Sequence, residues 1–234
     1  GELEGELLNQ FSIDEYKEHF RFVLTDNRGE YSSNSLVILD GNLKKTGAIS
    51  GIAEDERVYS VRFMGDTAYF VTFRQVDPLF SVDVSDPTSP KIIGSLKIPG
   101  FSNYLFPFGK GMLFGMGQNA DEKTGRSTGI KISMFDISDP SNVTECAKTD
   151  ISASYSEALY SHKATLINSG KNIIGFSAYG WQNNILYFIY AYENGELEKK
   201  AEINLPHSNT GCRGLYSGDK FYVVTPDVVY CFTL

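Results

Sequence analysis

Three stretches of this sequence hold residue types at spacings that could do chemistry. The first is Arg74-Gln75-Val76-Asp77-Pro78, a loop between two apolar runs. Arg74 offers a planar fork to an anionic ligand and Asp77 an acceptor to orient it. The competing reading is an ion pair that fixes the loop. The second runs from Tyr155-Ser156-Glu157 to Tyr160-Ser161-His162-Lys163. Glu157 and His162 are types that trade protons near neutral pH. They stand five apart, so an extended strand would place them on opposite faces. His162 then reads as a packed, hydrogen-bonded residue. The third is Gln118–Gly129, the most polar stretch of the chain. Asn119, Asp121 and Glu122 suit Ca²⁺ by type, but the regular spacing of a calcium loop is missing. That stretch is expected to be a mobile surface insertion.

Other chemistry lacks its motif. Serine-nucleophile, phosphate-loop and zinc spacings do not occur, and no cofactor or metal is expected. Cys146, Cys212 and Cys231 have no redox or metal-knuckle spacing and are expected to be small buried hydrophobes.

The elements that position these residues are strands. Runs such as Phe20–Leu24, Leu36–Leu39, Tyr59–Phe63, Ala68–Phe73, Phe80–Val84 and Ile92–Ile98 are β-branched and aromatic, with Gly, Asp, Asn, Ser and Pro between them. A repeat organises them. Gly65-Asp66-Thr67-Ala68-Tyr69-Phe70-Val71-Thr72 returns as Gly218-Asp219-Lys220-Phe221-Tyr222-Val223-Val224-Thr225, an offset of 218 − 65 = 153. Asp83-Val84-Ser85-Asp86-Pro87 returns 53 residues later as Asp136-Ile137-Ser138-Asp139-Pro140. The carboxylates of Asp86 and Asp139 are suited to accept backbone hydrogen bonds, and the prolines pre-set a type I turn. These turns are therefore structural, not metal ligands.

Four strands repeated at about 50 residues mark an all-β propeller of four-stranded antiparallel blades. The units fall at about 9–50, 57–99, 101–150, 155–204 and 209–234 of a single domain. The fifth is one strand short. Glu2–Leu8, with alternating Glu and Leu, is expected to pair antiparallel with Val228–Thr233 and close a five-bladed ring.

The 234 residues carry 21 Lys+Arg against 29 Asp+Glu, a net charge of −8. That balance, with no basic run, argues against nucleic-acid and anionic-lipid surfaces. The longest apolar run, Ile185–Tyr192, is too short to span a bilayer. The start, Gly-Glu-Leu-Glu, has no leader and is expected to be a processed or a cut end.

Phe63–Tyr69, Thr72–Phe80, Lys97–Ser102 and Ser154–Lys163 resemble the bacterial and archaeal C-terminal beta-propeller domain family, over about Asn9 to Lys163. The resemblance implies a secreted or surface-anchored bacterial protein, longer than this chain and with further domains upstream. It implies no reaction and no catalytic residues.

In a propeller, the loops between second and third strands share a face with those entering each inner strand, and ligands bind where they converge. The expected function is a non-catalytic module binding a glycan, peptide or protein there. The candidate rim is Arg62, Arg74, Asp77, Tyr104, Tyr155, Glu157, His162 and Arg213. The alternatives are a hydrolase or lyase using face carboxylates and His162, and a structural spacer in a longer surface protein.

Overall fold

The computed structural model describes residues 2–73, 77–98, 100–121, 127–153, 155–180, 184–205 and 211–233, with backbone only at 77. Among them, nineteen strands build five antiparallel sheets, each a meander in chain order. The first holds β1 (Ile13–Tyr16), β2 (His19–Asp26), β3 (Ser33–Asp40) and β4 (Lys45–Ile52). The second holds β5 (Arg57–Met64), β6 (Thr67–Phe73), β7 (Asp77–Asp83) and β8 (Lys91–Ile98). The third holds β9 (Phe101–Pro107), β10 (Met112–Ala120), β11 (Ser127–Asp136) and β12 (Thr144–Ile151). The fourth holds β13 (Thr165–Asn168), β14 (Ile173–Tyr179), β15 (Ile185–Glu193) and β16 (Glu196–Asn204). The last has three strands, β17 (Arg213–Ser217), β18 (Lys220–Val224) and β19 (Val229–Phe232). Each expected run named above lies within a strand, apart from Val84, one residue past β7.

By contacts the chain forms two units. One is Gly1–Leu105 with Ala120–Ser127 and Ile137–Thr144; the other is Phe106–Asn119, Thr128–Asp136 and Glu145–Leu234. In the first, alternate residues Val23, Leu36 and Ile38 of one sheet pack on Val61, Ala68, Phe70 and Val82 of the next. A meander has two apolar faces to cover, and stacking neighbours covers them. In the second unit, Tyr187 and Ile189 of β15 pack on Phe221 and Val223 of β18 in the same way.

The Asp-x-Ser-Asp-Pro turns are structural, as their chemistry implies. Asp86 Oδ1 accepts from the Thr88 amide and hydroxyl at 2.9 and 2.7 Å. Asp139 Oδ1 accepts from the Ser141 amide and hydroxyl at 3.0 and 2.6 Å. Each turn also docks on an outer-strand glycine of the preceding sheet. A Cβ at Gly47 would overlap the Pro87 carbonyl and stand 2.9 Å from Pro90 Cδ. A Cβ at Gly94 would stand 3.0 Å from the Ser141 carbonyl. The Ser81 hydroxyl adds a 2.5 Å bond to the Pro140 carbonyl.

Three expectations need correction. The first is the ring: Glu2–Leu8 does not pair with β19 to close one. Glu6 pairs antiparallel with Thr25, through bonds of 2.8 and 3.0 Å. β1 covers β2 only as far as Phe22, so the Thr25 amide and carbonyl need a partner, and Glu6 is in reach. Among the described strands β19 pairs with β18 alone, and Val229 on it is exposed. Deleting residues 1–8 therefore removes two backbone hydrogen bonds and the packing of Leu3 on Leu24, Val37 and Leu39. The expected loss is about 1–3 kcal/mol, read as a lower urea midpoint at an unchanged slope. Loss of the cooperative transition would instead restore a closing role.

The second is the cysteines. Cys212 is a buried core residue, but Cys146 is half-buried and Cys231 exposed, and none of the three is in a disulfide. Cys231 sits on the edge strand β19, which has no further strand to cover it among those described. The third is the polar stretch 118–129. Strands β10 and β11 reach into it from both sides, through Ala120 and from Ser127. Asn119 donates to Asp150 Oδ1 at 3.1 Å. Residues 122–126, Glu122 included, lie outside the described residues, and so does the expectation of mobility there.

Candidate functional site

Ser156 organises the second unit's candidate site. Its buried hydroxyl donates to the Ser177 carbonyl at 2.6 Å and accepts from the Ala158 amide at 3.1 Å. That N-cap starts a one-turn helix, Glu157–Leu159, and a second turn, His162–Ala164, follows. The expected inner strand is thus replaced by two helical turns, and β13 begins only at Thr165. Capping by Ser156 and the bonds from the Tyr160 and Ser161 amides to the Glu157 carbonyl favour the turn over an extended chain. The argument that strand alternation separates Glu157 from His162 therefore lapses. Glu157 opens the first turn and His162 the second.

Tyr155, just before the cap, makes an isolated bridge to Tyr179 at the end of β14, and the Tyr179 amide donates to its carbonyl at 2.8 Å. The two rings meet at 5.5 Å, tilted by 56°. Tyr160 stacks on Tyr155, with ring centres 5.7 Å apart at 20°. Tyr155 is 42% exposed and Tyr160 62%. Two large aromatic rings are thus stacked and partly exposed to water.

Arg213, the first residue of β17, reaches Glu157 across 56 positions of sequence. Nη2 donates to Oε1 at 2.7 Å and Nη1 to Oε2 at 3.0 Å, a two-pronged pair. Nη1 also donates to the Cys212 carbonyl at 2.8 Å. Hydrogen bonding to Arg213 holds the Glu157 carboxyl below its ordinary range, against some desolvation. The same bonds raise the guanidinium. Burial pushes the Tyr179 phenol up. A small hollow of about 50 Å³ lies among Tyr155, Glu157, Ser177, Tyr179 and Cys212.

The lowered Glu157 value fixes a sign. The pair stabilises the fold above the usual glutamate range, near pH 4.3, and that contribution is lost as pH falls through the lowered value. Both side chains are about a third exposed, so solvent screening keeps the contribution under about 1 kcal/mol. Glu157→Gln should therefore flatten the stability profile slightly below pH 5. An unchanged profile would show that the pair carries no coupling.

The first unit holds two other expected rim residues in a different role. Arg62 Nε donates to the Leu105 carbonyl at 2.8 Å, and its guanidinium lies 4.1 Å from the Phe11 ring centre. Phe11 in turn meets Tyr104 edge-on at 6.3 Å. Burial lowers the Arg62 value. Arg62 therefore ties the inner strands β5 and β9 together and is not displayed as a free rim cation. Near the ends of β2 and β5, a hollow of about 360 Å³ lies among Glu6, Thr25, Asn27, Arg57 and Tyr59. Arg74 lies outside the described residues, as does the side chain of Asp77.

The structure thus brings together Tyr155, Glu157 and Arg213. Tyr160 and Tyr179, beside them, are not among the expected rim residues. The signal for Tyr160 was present, five residues from Tyr155 in a polar stretch. Tyr179 ends an ordinary apolar strand and carries no such signal. Among the described residues no three His, Cys, Asp or Glu gather as a metal site, and no helix is long and apolar enough to cross a membrane.

The comparisons with known proteins agree with this architecture. The sequence is 37% identical over 226 residues to an uncharacterised protein of Archaeoglobus fulgidus, covering 96% of this chain and 33% of that protein. It is 34% identical over 225 residues to an uncharacterised protein of Methanocaldococcus jannaschii, covering 95% and 34%. The chain spans about a third of the length of these curated relatives. Among solved structures, a protein from Lactobacillus plantarum aligns with a TM-score of 0.58 at 11% identity, over 99% of this chain and 69% of that one. Acylaminoacyl peptidase from Pyrococcus horikoshii aligns with a TM-score of 0.54 at 15% identity, over 94% and 37%. At such identities these two show the fold alone. The match to the family described as beta propeller domain runs over residues 1–234, well past Lys163, and the chain belongs to that family.

Proposed function

We propose that this domain is a non-catalytic binding module, acting outside the cytoplasm, that takes a glycan, peptide or protein at the loop end of its sheets. The observation that carries the reading is the exposed Tyr155–Tyr160 stack beside the Glu157–Arg213 pair. Aromatic faces held in water, with a few fixed polar groups beside them, suit recognition. A general acid needs a carboxyl value raised toward neutrality. Glu157 is shifted the other way and tied to a cation, which favours binding over hydrolase or lyase chemistry.

The test is a titration with soluble glycan and peptide libraries, followed by amide NMR shifts. Shifts should gather at Tyr155, Glu157, Tyr160 and Arg213. Shifts confined to outer strands such as β4 or β16 would overturn the site, and cleaved products in the mixture would overturn the non-catalytic reading.

One observation favours a second reading, a structural spacer in a longer protein. Leu3, Leu7, Phe22, Leu24, Leu39 and Leu43 line an apolar groove of about 510 Å³ on the first sheet. An open apolar face of this kind suits docking of a neighbouring segment.

A further inference from the structure

Independently of the binding reading above, we infer that the hollow near the ends of β2 and β5 is a site for a free α-amino acid with an apolar side chain. Such a ligand carries a carboxylate, an ammonium and an aliphatic or aromatic group within a few bonds of one another. The hollow has a counterpart for each. Arg57 faces the carboxylate, Glu6 the ammonium, and Leu7, Leu8 and Tyr59 the side chain, with Asn27 beside them. All six residues belong to the first unit.

The backbone builds this hollow from two sides. The antiparallel bonds between Glu6 and Thr25 fasten the segment before β1 to the end of β2. Leu7 and Leu8, which follow, line the hollow and stay 44% and 45% exposed. On β5 the register with β6 shifts between Val58, opposite Thr72, and Ser60, opposite Val71, so Tyr59 is the extra residue of a bulge. Val58 and Val61 are three apart, and regular alternation would turn one of them out of the core. The bulge lets both pack in it. Tyr59 is then left to line the hollow with Arg57. Its ring packs edge-on against Phe73 at 5.7 Å and against Phe101 at 4.7 Å. That wall exists before a ligand arrives, so binding costs little side-chain ordering.

Charge selects the class. Polar groups close by in sequence are already engaged. Arg28 is taken by Asp26 at 2.8 Å and Glu4 at 3.7 Å. The Thr25 hydroxyl donates to Asn34 Oδ1 at 2.7 Å and accepts from the Val58 amide at 3.4 Å. The hollow itself is lined by one cation and one anion, Arg57 and Glu6, both exposed. Among the described residues neither is in an ion pair. The guanidinium fork matches a carboxylate in two prongs, and an ammonium has three N–H donors, one of which suits Glu6. A ligand bearing only an anion would meet Glu6 and a chain of net charge −8. One bearing only a cation would meet Arg57. A zwitterion satisfies both. A volume of about 360 Å³ is at the small end for ligand sites, which suits a single amino acid.

The experiment is a calorimetric titration of the whole chain with L-leucine, L-methionine and L-phenylalanine, with amide NMR shifts to locate the site. N-acetyl-L-leucine, which lacks the ammonium, and L-leucinamide, which lacks the carboxylate, are titrated in parallel. At least one free amino acid should bind and shift Leu7, Leu8, Asn27 and Arg57, and the two blocked forms should bind at least tenfold more weakly than L-leucine. Arg57→Ala should weaken binding at least tenfold and Glu6→Gln at least threefold. Both side chains are exposed, so urea midpoints close to the parent's are expected. Arg57→Lys, which keeps the charge without the planar fork, should retain part of the affinity. If no free amino acid binds, or if its shifts fall outside the first unit, the proposal is overturned. It is equally overturned if N-acetyl-L-leucine matches L-leucine, or if a folded Arg57→Ala binds as well as the parent.

Discussion

Replacing Glu145 by alanine should cost the fold about 3–5 kcal/mol, the range for removing one partner of a buried ion pair. Lys131 on β11 is buried, its side chain only 3% exposed, and Glu145 on β12 is 13% exposed. Lys131 Nζ donates to Glu145 Oε1 at 3.3 Å, and the Ser133 hydroxyl donates to the same oxygen at 2.7 Å. On β11 the residues Lys131 and Ser133 share one face, while Ile130, Ile132 and Met134 occupy the other. A lysine left there without this carboxylate must either hold its charge in a desolvated place or give up its proton, and either costs stability. The Lys131→Met, Glu145→Leu double variant should regain most of the loss, since well-packed apolar residues often match a buried pair. Urea unfolding of the two single variants and the double variant measures this. A loss under about 1 kcal/mol in Glu145→Ala would show that the pair behaves as a surface bridge.

Gly214→Ala should be nearly as damaging, about 3 kcal/mol, at the upper end for overpacking a core. The fully buried Tyr187 of β15 lies between Gly214 on β17 and Gly175 on β14. A methyl group at Gly214 would overlap the Tyr187 hydroxyl, stand 2.7 Å from its Cζ and 3.0 Å from Phe221 Cζ. A Cβ at Gly175 would stand 2.7 Å from the same hydroxyl. Tyr187 cannot swing aside, because the core around it is filled by Ile185, Ile189, Phe221 and Val223. Glycine is required here for lack of space, not for its backbone freedom. Adding Tyr187→Leu to Gly214→Ala should recover part of the loss. A melting temperature for Gly214→Ala equal to the parent's would show that the ring can move.

Much of the architecture is legible in the sequence. Strand runs such as Phe20–Leu24 and Ala68–Phe73 carry their β-branched and aromatic types locally. The Asp86-Pro87 and Asp139-Pro140 turns are also local, because each aspartate bonds to amides two residues on. The repeat of Gly65-Asp66 at Gly218-Asp219 is a property of the string itself. For these features the decisive interactions span a few residues, so sequence and structure carry the same information.

The site and the ring were decided elsewhere. That Glu157 meets Arg213 depends on how the segment before β13 reaches the start of β17, 56 residues away. No local rule encodes that distance. Arg62 read as a rim cation because its type is polar, but Phe11 and the Leu105 carbonyl, 51 and 43 positions away, absorb it. Residues Glu2–Leu8 alternate as an outer strand should, yet alternation says nothing of which edge will take it. The amide and carbonyl that Glu6 takes, those of Thr25, lie on the chain's own first sheet. Backbone groups take the partner within reach, and reach is set by tertiary packing alone.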